Sequence, residues 1–167
     1  PYIDVPASER GDYNILLAGY HYGIRHAGMI ANYAYKHAGF FRGEDSSLKV
    51  ANTAMILDCL YFNEEAGNHI DVLTHPGDKG PFDIEDIAKA CADTGTLIEI
   101  NDKHAHLTVE EIKIAAKFDV SFIIGSDAHV PEKVGSFEGP LRRALEAGMD
   151  PGRIVNISLA NEGQKEI

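Results

Sequence analysis

Ile123-Ile124-Gly125-Ser126-Asp127-Ala128-His129 is the stretch whose reading decides the fold. Val120–Ile124, which leads into it, is a run of β-branched and aromatic residues and predicts a strand buried on both faces. The strand ends in Gly125 and Ser126 and then presents Asp127 and His129 two positions apart. In extended backbone, residues i and i+2 point the same way. A carboxylate and an imidazole can therefore converge just past the strand's C-terminal end, where the chemistry of parallel α/β folds sits. A turn-capping Asp beside a surface His explains this pair alone equally well. The balance shifts because two other strands end in the same way.

Working outward, Ile70–Thr74 (IDVLT) runs into His75-Pro76-Gly77, and Tyr13–Tyr20 (YNILLAGY) runs into His21. Pro76 turns His75 away from helix and halts its strand. A long helix is expected from Ser46 or Ser47 to Ala66, with Leu48, Ala51, Met55, Cys59, Phe62 and Ala66 as its apolar stripe and Gly67 as its stop. A second runs from the N-cap Asp83 to Gly95 and buries Ile84, Ile87, Ala88 and Cys91. The strand Thr96–Ile100 follows, with Glu99 and Asn101 at its C-terminal end; Thr108 and Glu111 then form a capping box that opens another helix. The last helix is expected from Ser136 or Gly139 to Ala147 and a final short strand from Arg153 to Ile157, while Ala27–His37 is helical in pattern but interrupted by glycines. This alternation of strand and helix means right-handed βαβ units and a parallel sheet. Periodicity alone does not separate an open sheet from a barrel.

The chain has 167 residues, 44% hydrophobic and 25% charged, which suits one soluble globular domain with a substantial core. The balance of 26 acidic against 15 basic side chains, net −11, argues against a nucleic-acid surface. An acidic chain still binds a small phosphorylated molecule where metal ions supply local positive charge. No apolar run of about 20 residues offers a membrane span, and the start lacks a signal-peptide pattern. Cys59 and Cys91 lie alone in helical stretches and read as small core residues of a reduced, cytoplasmic protein.

Strands of one parallel sheet have their C-terminal ends on one side, so His21, His75, Asp127 and His129 can meet at one mouth. Imidazole suits zinc, iron, nickel or copper, and a carboxylate can bridge two ions or suit manganese. The competing account is a set of hydrogen-bonded strand-end residues with no ion. His104-Ala105-His106, in the loop after the Glu99 strand, reads first as a polar loop and second as an extra substrate or metal contact. Asp78-Lys79-Gly80 reads as a turn, and His26, His37 and His69 as surface or turn residues. Lys103, Lys133 and Arg25 are the basic residues nearest the motifs, and any one of them suits a phosphate clamp.

Ala18-Gly19-Tyr20-His21, Thr74-His75-Pro76-Gly77, Ile98-Glu99-Ile100-Asn101 and Gly125-Ser126-Asp127-Ala128-His129, in this order, resemble successive motifs of the PHP (polymerase and histidinol phosphatase) superfamily. The nearest likeness is to its stand-alone bacterial phosphatase branch, and it extends to Asn52-Thr53 and to Arg153-Ile154-Val155-Asn156. The resemblance implies a parallel-stranded, distorted (β/α)7, TIM-like barrel with up to three divalent ions at its mouth, zinc foremost and manganese or iron as alternatives. It also implies hydrolysis of small phosphate monoesters by a metal-activated water. By this resemblance His21 and His75 match the histidines of one metal position, Asp127 the aspartate of a second and His129 the histidine of a third. Asp127 and His129 would then also be catalytic, and Glu99 and Asn101 would line the mouth in a supporting role.

The family's opening His-x-His, further histidines and a bridging Glu have no counterpart in Pro1–Gly11, and the chain does not begin with Met. Residues 1–167 are therefore expected to be a single PHP domain lacking its first strands, the C-terminal two-thirds of something longer. Such a chain is expected to be weakly active or inactive alone and to self-associate through unpaired strand edges. The expected partner is a small phosphorylated substrate, with neither nucleic acid nor membrane. Two other readings stand beside the phosphatase: a PHP-like metal-binding module without turnover, and an amidohydrolase-type barrel hydrolase.

Overall fold

The structure, a computed structural model, describes residues 3–21 and 47–157. The expected helix at 27–37, together with Arg25, His26 and His37, lies outside the described residues. Among the described residues, four parallel strands form one sheet in chain order: β1 (Leu17–Gly19), β2 (Val72–Thr74), β3 (Leu97–Asn101) and β4 (Phe122–Gly125). Gly19 pairs with Thr74, Leu73 with Ile98, and Asn101 with Gly125, so the C-terminal ends lie along one edge. Four helices alternate with the strands: α1 (Ser47–Glu65), α2 (Ile84–Thr94), α3 (Val109–Ala115) and α4 (Glu138–Glu146). Each packs on the next in chain order. This is the parallel α/β class expected from the alternating pattern. No helix among the described residues is long and apolar enough to cross a membrane.

The core is continuous from sheet to helices. Ile87, Ala88 and Cys91 of α2, Ile98 and Ile100 of β3, Ile112 and Ala115 of α3, and Phe122 of β4 are fully buried. Helix α2 starts because the Asp83 side chain accepts from the backbone N–H groups of Glu85 and Asp86, and stops at Gly95 in the left-handed conformation. Helix α3 is opened by the complete Thr108–Glu111 capping box.

Three expectations change. Helix α1 buries only part of the apolar stripe: Leu48 is buried and Met55 and Cys59 pack partly against the core, but Ala51 and Phe62 are exposed, and Asn52, Thr53, Leu60 and Asn63 are buried in addition. Hydrogen bonds turn it this way, because Asn52 donates to the Pro81 carbonyl and Thr53 Oγ1 accepts from the Asp83 N–H. The first strand shrinks to Leu17–Gly19 because the Asp71 carboxylate, itself held by Arg10, accepts from the Leu16 N–H ahead of the ladder. The final strand is reduced to one bridge, Phe122 to Ile154, flanked by a 3-10 turn at Pro151–Arg153. The Asn156 side chain replaces the missing ladder by accepting from the Ile124 N–H and donating to the Ile124 carbonyl.

Candidate functional site

The strand ends open into a cleft of about 560 Å³ whose walls include His21, His75, Asp127 and His129. The chain turns abruptly at two of these positions. His75 and Asp127 have φ of 31° and 46°, left-handed values that cost a non-glycine residue energy and persist only where the surroundings impose them. At His75 the imposing group is Glu99, whose Oε2 accepts from the His75 backbone N–H at 2.8 Å and from Asn101 Nδ2 at 3.0 Å. Gly125 faces that carboxylate so closely that a Cβ there would overlap Glu99 Oε1. The glycine ahead of Asp127 is thus required by a side chain from the neighbouring strand.

The Asp127 turn alters how the founding pair converges. An extended path would set Asp127 and His129 side by side; instead His129 folds back, with Nδ1 2.8 Å from the Asp127 carbonyl oxygen. The Lys103 ammonium donates to His129 Nε2 at 2.8 Å. His129 stands at the exposed rim, its side chain 65% accessible, whereas His75 is only 6% exposed on the floor. His21 and His75 meet edge to face with ring centroids 5.2 Å apart.

The turn and the loop contribute more than the sequence suggests. Asp78 is buried, pairs with Lys79, and has Oδ2 3.1 Å from His104 Nδ1. The other nitrogen of that ring, Nε2, lies 2.9 Å from Asp127 Oδ2. One ligand-competent atom from each of His75, His104 and Asp127 lies within 4.8 Å of the others. His106 turns away to Glu111. His-x-His spacing alone does not distinguish the two rings; the left-handed Ala105 between them does. Of the basic candidates, Lys103 lines the cleft along with Lys79, while Lys133 is not among its walls. His69 pairs with Glu64 on the surface of the β1–β2 side.

Electrostatics follow from burial. Desolvation, reinforced by the neighbouring His21 and His104 rings, pushes His75 down to about 4, so its imidazole is neutral at pH 7. Its Nδ1 is buried with no hydrogen-bond partner among the described residues. Burial also lowers His104, against the opposing pull of Asp78 and Asp127. Burial raises Glu99, although the donors from Asn101 and His75 oppose it.

A parallel sheet carrying a histidine-rich cleft at its C-terminal edge defines an α/β protein whose site is built from βα junctions. Comparison with known proteins narrows the class. Residues 110–137 match a family described as PHP-associated. A probable phosphatase of Syntrophotalea carbinolica is 32% identical over 135 residues, covering 73% of this chain and 53% of that protein. One from Shewanella halifaxensis is 31% identical over 121 residues, 67% of this chain and 47% of the relative. One from Proteus mirabilis is 34% identical over 114 residues, 59% and 46% respectively. Over the part these likenesses cover, the chain belongs to the PHP superfamily. They support a phosphatase-type function in general terms, and the chain spans about half the length of these relatives.

Proposed function

We propose that this chain supplies part of the active site of a divalent-metal-dependent phosphoesterase acting on small phosphate monoesters. The observation that carries the reading is the gathering of His21, His75, Asp127 and His129, from three separate βα junctions, around one cleft. The likeness to proteins named probable phosphatases points the same way. The donor set suits a metal. A neutral imidazole with an unpartnered buried nitrogen, beside further imidazoles and a carboxylate, fits zinc best and iron or manganese next. His21, His75, Asp127 and His129 would supply ligands to the ions of the cleft, His21 and His75 to the same one. When bound, such an ion supplies Lewis-acid activation of a water and of the phosphoryl group.

The chain's own residues do the remainder. Glu99 holds the floor by accepting from the His75 backbone N–H, and Asn101 in turn holds Glu99. Lys103, at the mouth, places an ammonium where the phosphate dianion enters, with Lys79 deeper in the wall. We read the sheet as a section of a distorted (β/α)7 barrel. Its strand order runs 1-2-3-4 without the reversal that marks the binding crevice of doubly wound folds, and its helices pack in sequence.

The test is turnover of p-nitrophenyl phosphate by the natural-length protein that carries this chain. Hydrolysis should vanish with chelator, return with zinc or manganese, and fall by at least a hundredfold in Asp127→Ala and His75→Ala, by analogy with other lost catalytic electrostatics. Chelator-insensitive turnover would exclude the reading. Stoichiometric metal without turnover would favour a binding module instead.

A further inference from the structure

We infer that His104 is an additional metal ligand of this cleft, completing a set with His75 and Asp127, and that buried Asp78 is the positioning residue that aims its ring. The inference rests on the metal-site reading above and adds two residues that the strand-end pattern does not contain. Three observations carry it. His104 Nε2 and Asp127 Oδ2 face each other at 2.9 Å, and the two residues form with His75 a group that offers one donor atom each within 4.8 Å of the others. His75, buried in the same group, has an Nδ1 without a hydrogen-bond partner among the described residues. On its far side the His104 ring presents Nδ1 to Asp78 Oδ2 at 3.1 Å.

That proximity sets a carboxylate beside Nδ1, as in the carboxylate–histidine pairs that orient metal-bound imidazoles. The nearby carboxylate favours the tautomer with its proton on Nδ1, in which Nε2 is left as a lone pair. It then confronts a carboxylate oxygen that also has only lone pairs to offer, and a cation shared between them resolves the confrontation. The backbone is built to hold this pose. The His104 N–H donates to Asn101 Oδ1 at 2.8 Å, while the Asn101 amide nitrogen holds Glu99. One fully buried amide therefore ties the loop ligand to the floor.

Zinc titration calorimetry and the visible spectrum of the cobalt-substituted protein test this, applied to the natural-length chain after chelator treatment. His104→Ala and His104→Gln should each weaken zinc binding by roughly ten- to a hundredfold and change the cobalt bands, which report the ligand set. Asp78→Asn should weaken zinc by a smaller factor and leave the cobalt bands close to those of the unsubstituted protein. His106→Ala should alter neither, and circular dichroism verifies that each variant is folded. Zinc affinity and cobalt bands unchanged in both folded His104 variants would overturn the inference while leaving the phosphoesterase reading intact. Failure of the unsubstituted protein to take up either metal would overturn both.

Discussion

Asn101 uses both ends of one buried amide, donating to Glu99 and accepting from the His104 N–H. Asn101→Ala would leave a buried carboxylate and a loop N–H short of partners. It should cost about 2–3 kcal/mol in denaturant unfolding, since unsatisfied buried groups cost more than the bond they lose. A loss under 0.5 kcal/mol would mean the linkage is incidental. Cys91 behaves oppositely: fully buried, with desolvation pushing its thiol up to about 12, it should resist iodoacetamide at pH 8 until the protein unfolds. Labelling of native protein, read by mass spectrometry, would contradict that burial. At this scale the placement of His21, His75, Asp127 and His129 around one cleft was legible, because His21 and His75 directly follow predicted strands and Asp127 and His129 come just after the strand-ending Gly125-Ser126. His104 was legible only as the second reading of its loop, undistinguished from His106, and Asp78 only as part of a turn, because a loop residue's direction depends on turns such as the left-handed Ala105, which leave no periodic trace.

Helix α3 is held at its start by reciprocal bonds between Thr108 and Glu111. Burial alone would raise the Glu111 carboxyl, but donors from His106 and Thr108 win and hold it below the usual carboxylate range. A depressed folded pKa means the stabilisation is complete above the unfolded value and fades as pH falls through the folded one. Glu111→Gln should therefore lower the denaturation midpoint at pH 7 and approach the unsubstituted protein well below pH 4 (ordinary Glu titrates at about 4.3). An equal deficit at both pH values would refute the ionic component. Arg153 clamps the other end of this region, donating to the carbonyls of Ala116, Phe118 and Val120 while lying over the Phe122 ring. Arg153→Lys cannot reproduce that fork, and it should cost about 1–3 kcal/mol in the same assay. Caps and stops such as Asp83, Gly95 and the Thr108–Glu111 box were readable because they act within four residues. The facing of α1 was not, since long-range bonds from Asn52 and Thr53 set it. Nor was the loss of the last strand, where the Asn156 side chain takes over the pairing.

The whole molecule follows from a parallel sheet that brings its C-terminal ends to one edge. That logic was available from the alternation of strands and helices. Barrel closure was not, because periodicity is the same in open and closed sheets. Among the described strands β1 stands at an end of the sheet, and Tyr13, Ile15 and Leu17 at and before it are about half exposed. Such an edge predicts concentration-dependent association of the 167-residue chain in sedimentation velocity, reduced by Leu17→Lys; a single monomer species across concentrations would contradict it. The claim on which the functional account depends is that the strand-end imidazoles and carboxylate hold a divalent ion in the cleft. Anomalous diffraction at the zinc edge, on crystals of zinc-loaded protein, tests it most directly. The account predicts a peak within bonding distance, about 2.0–2.2 Å, of His75 and Asp127. A clean map with no peak in the cleft, or zinc bound only elsewhere, would contradict it.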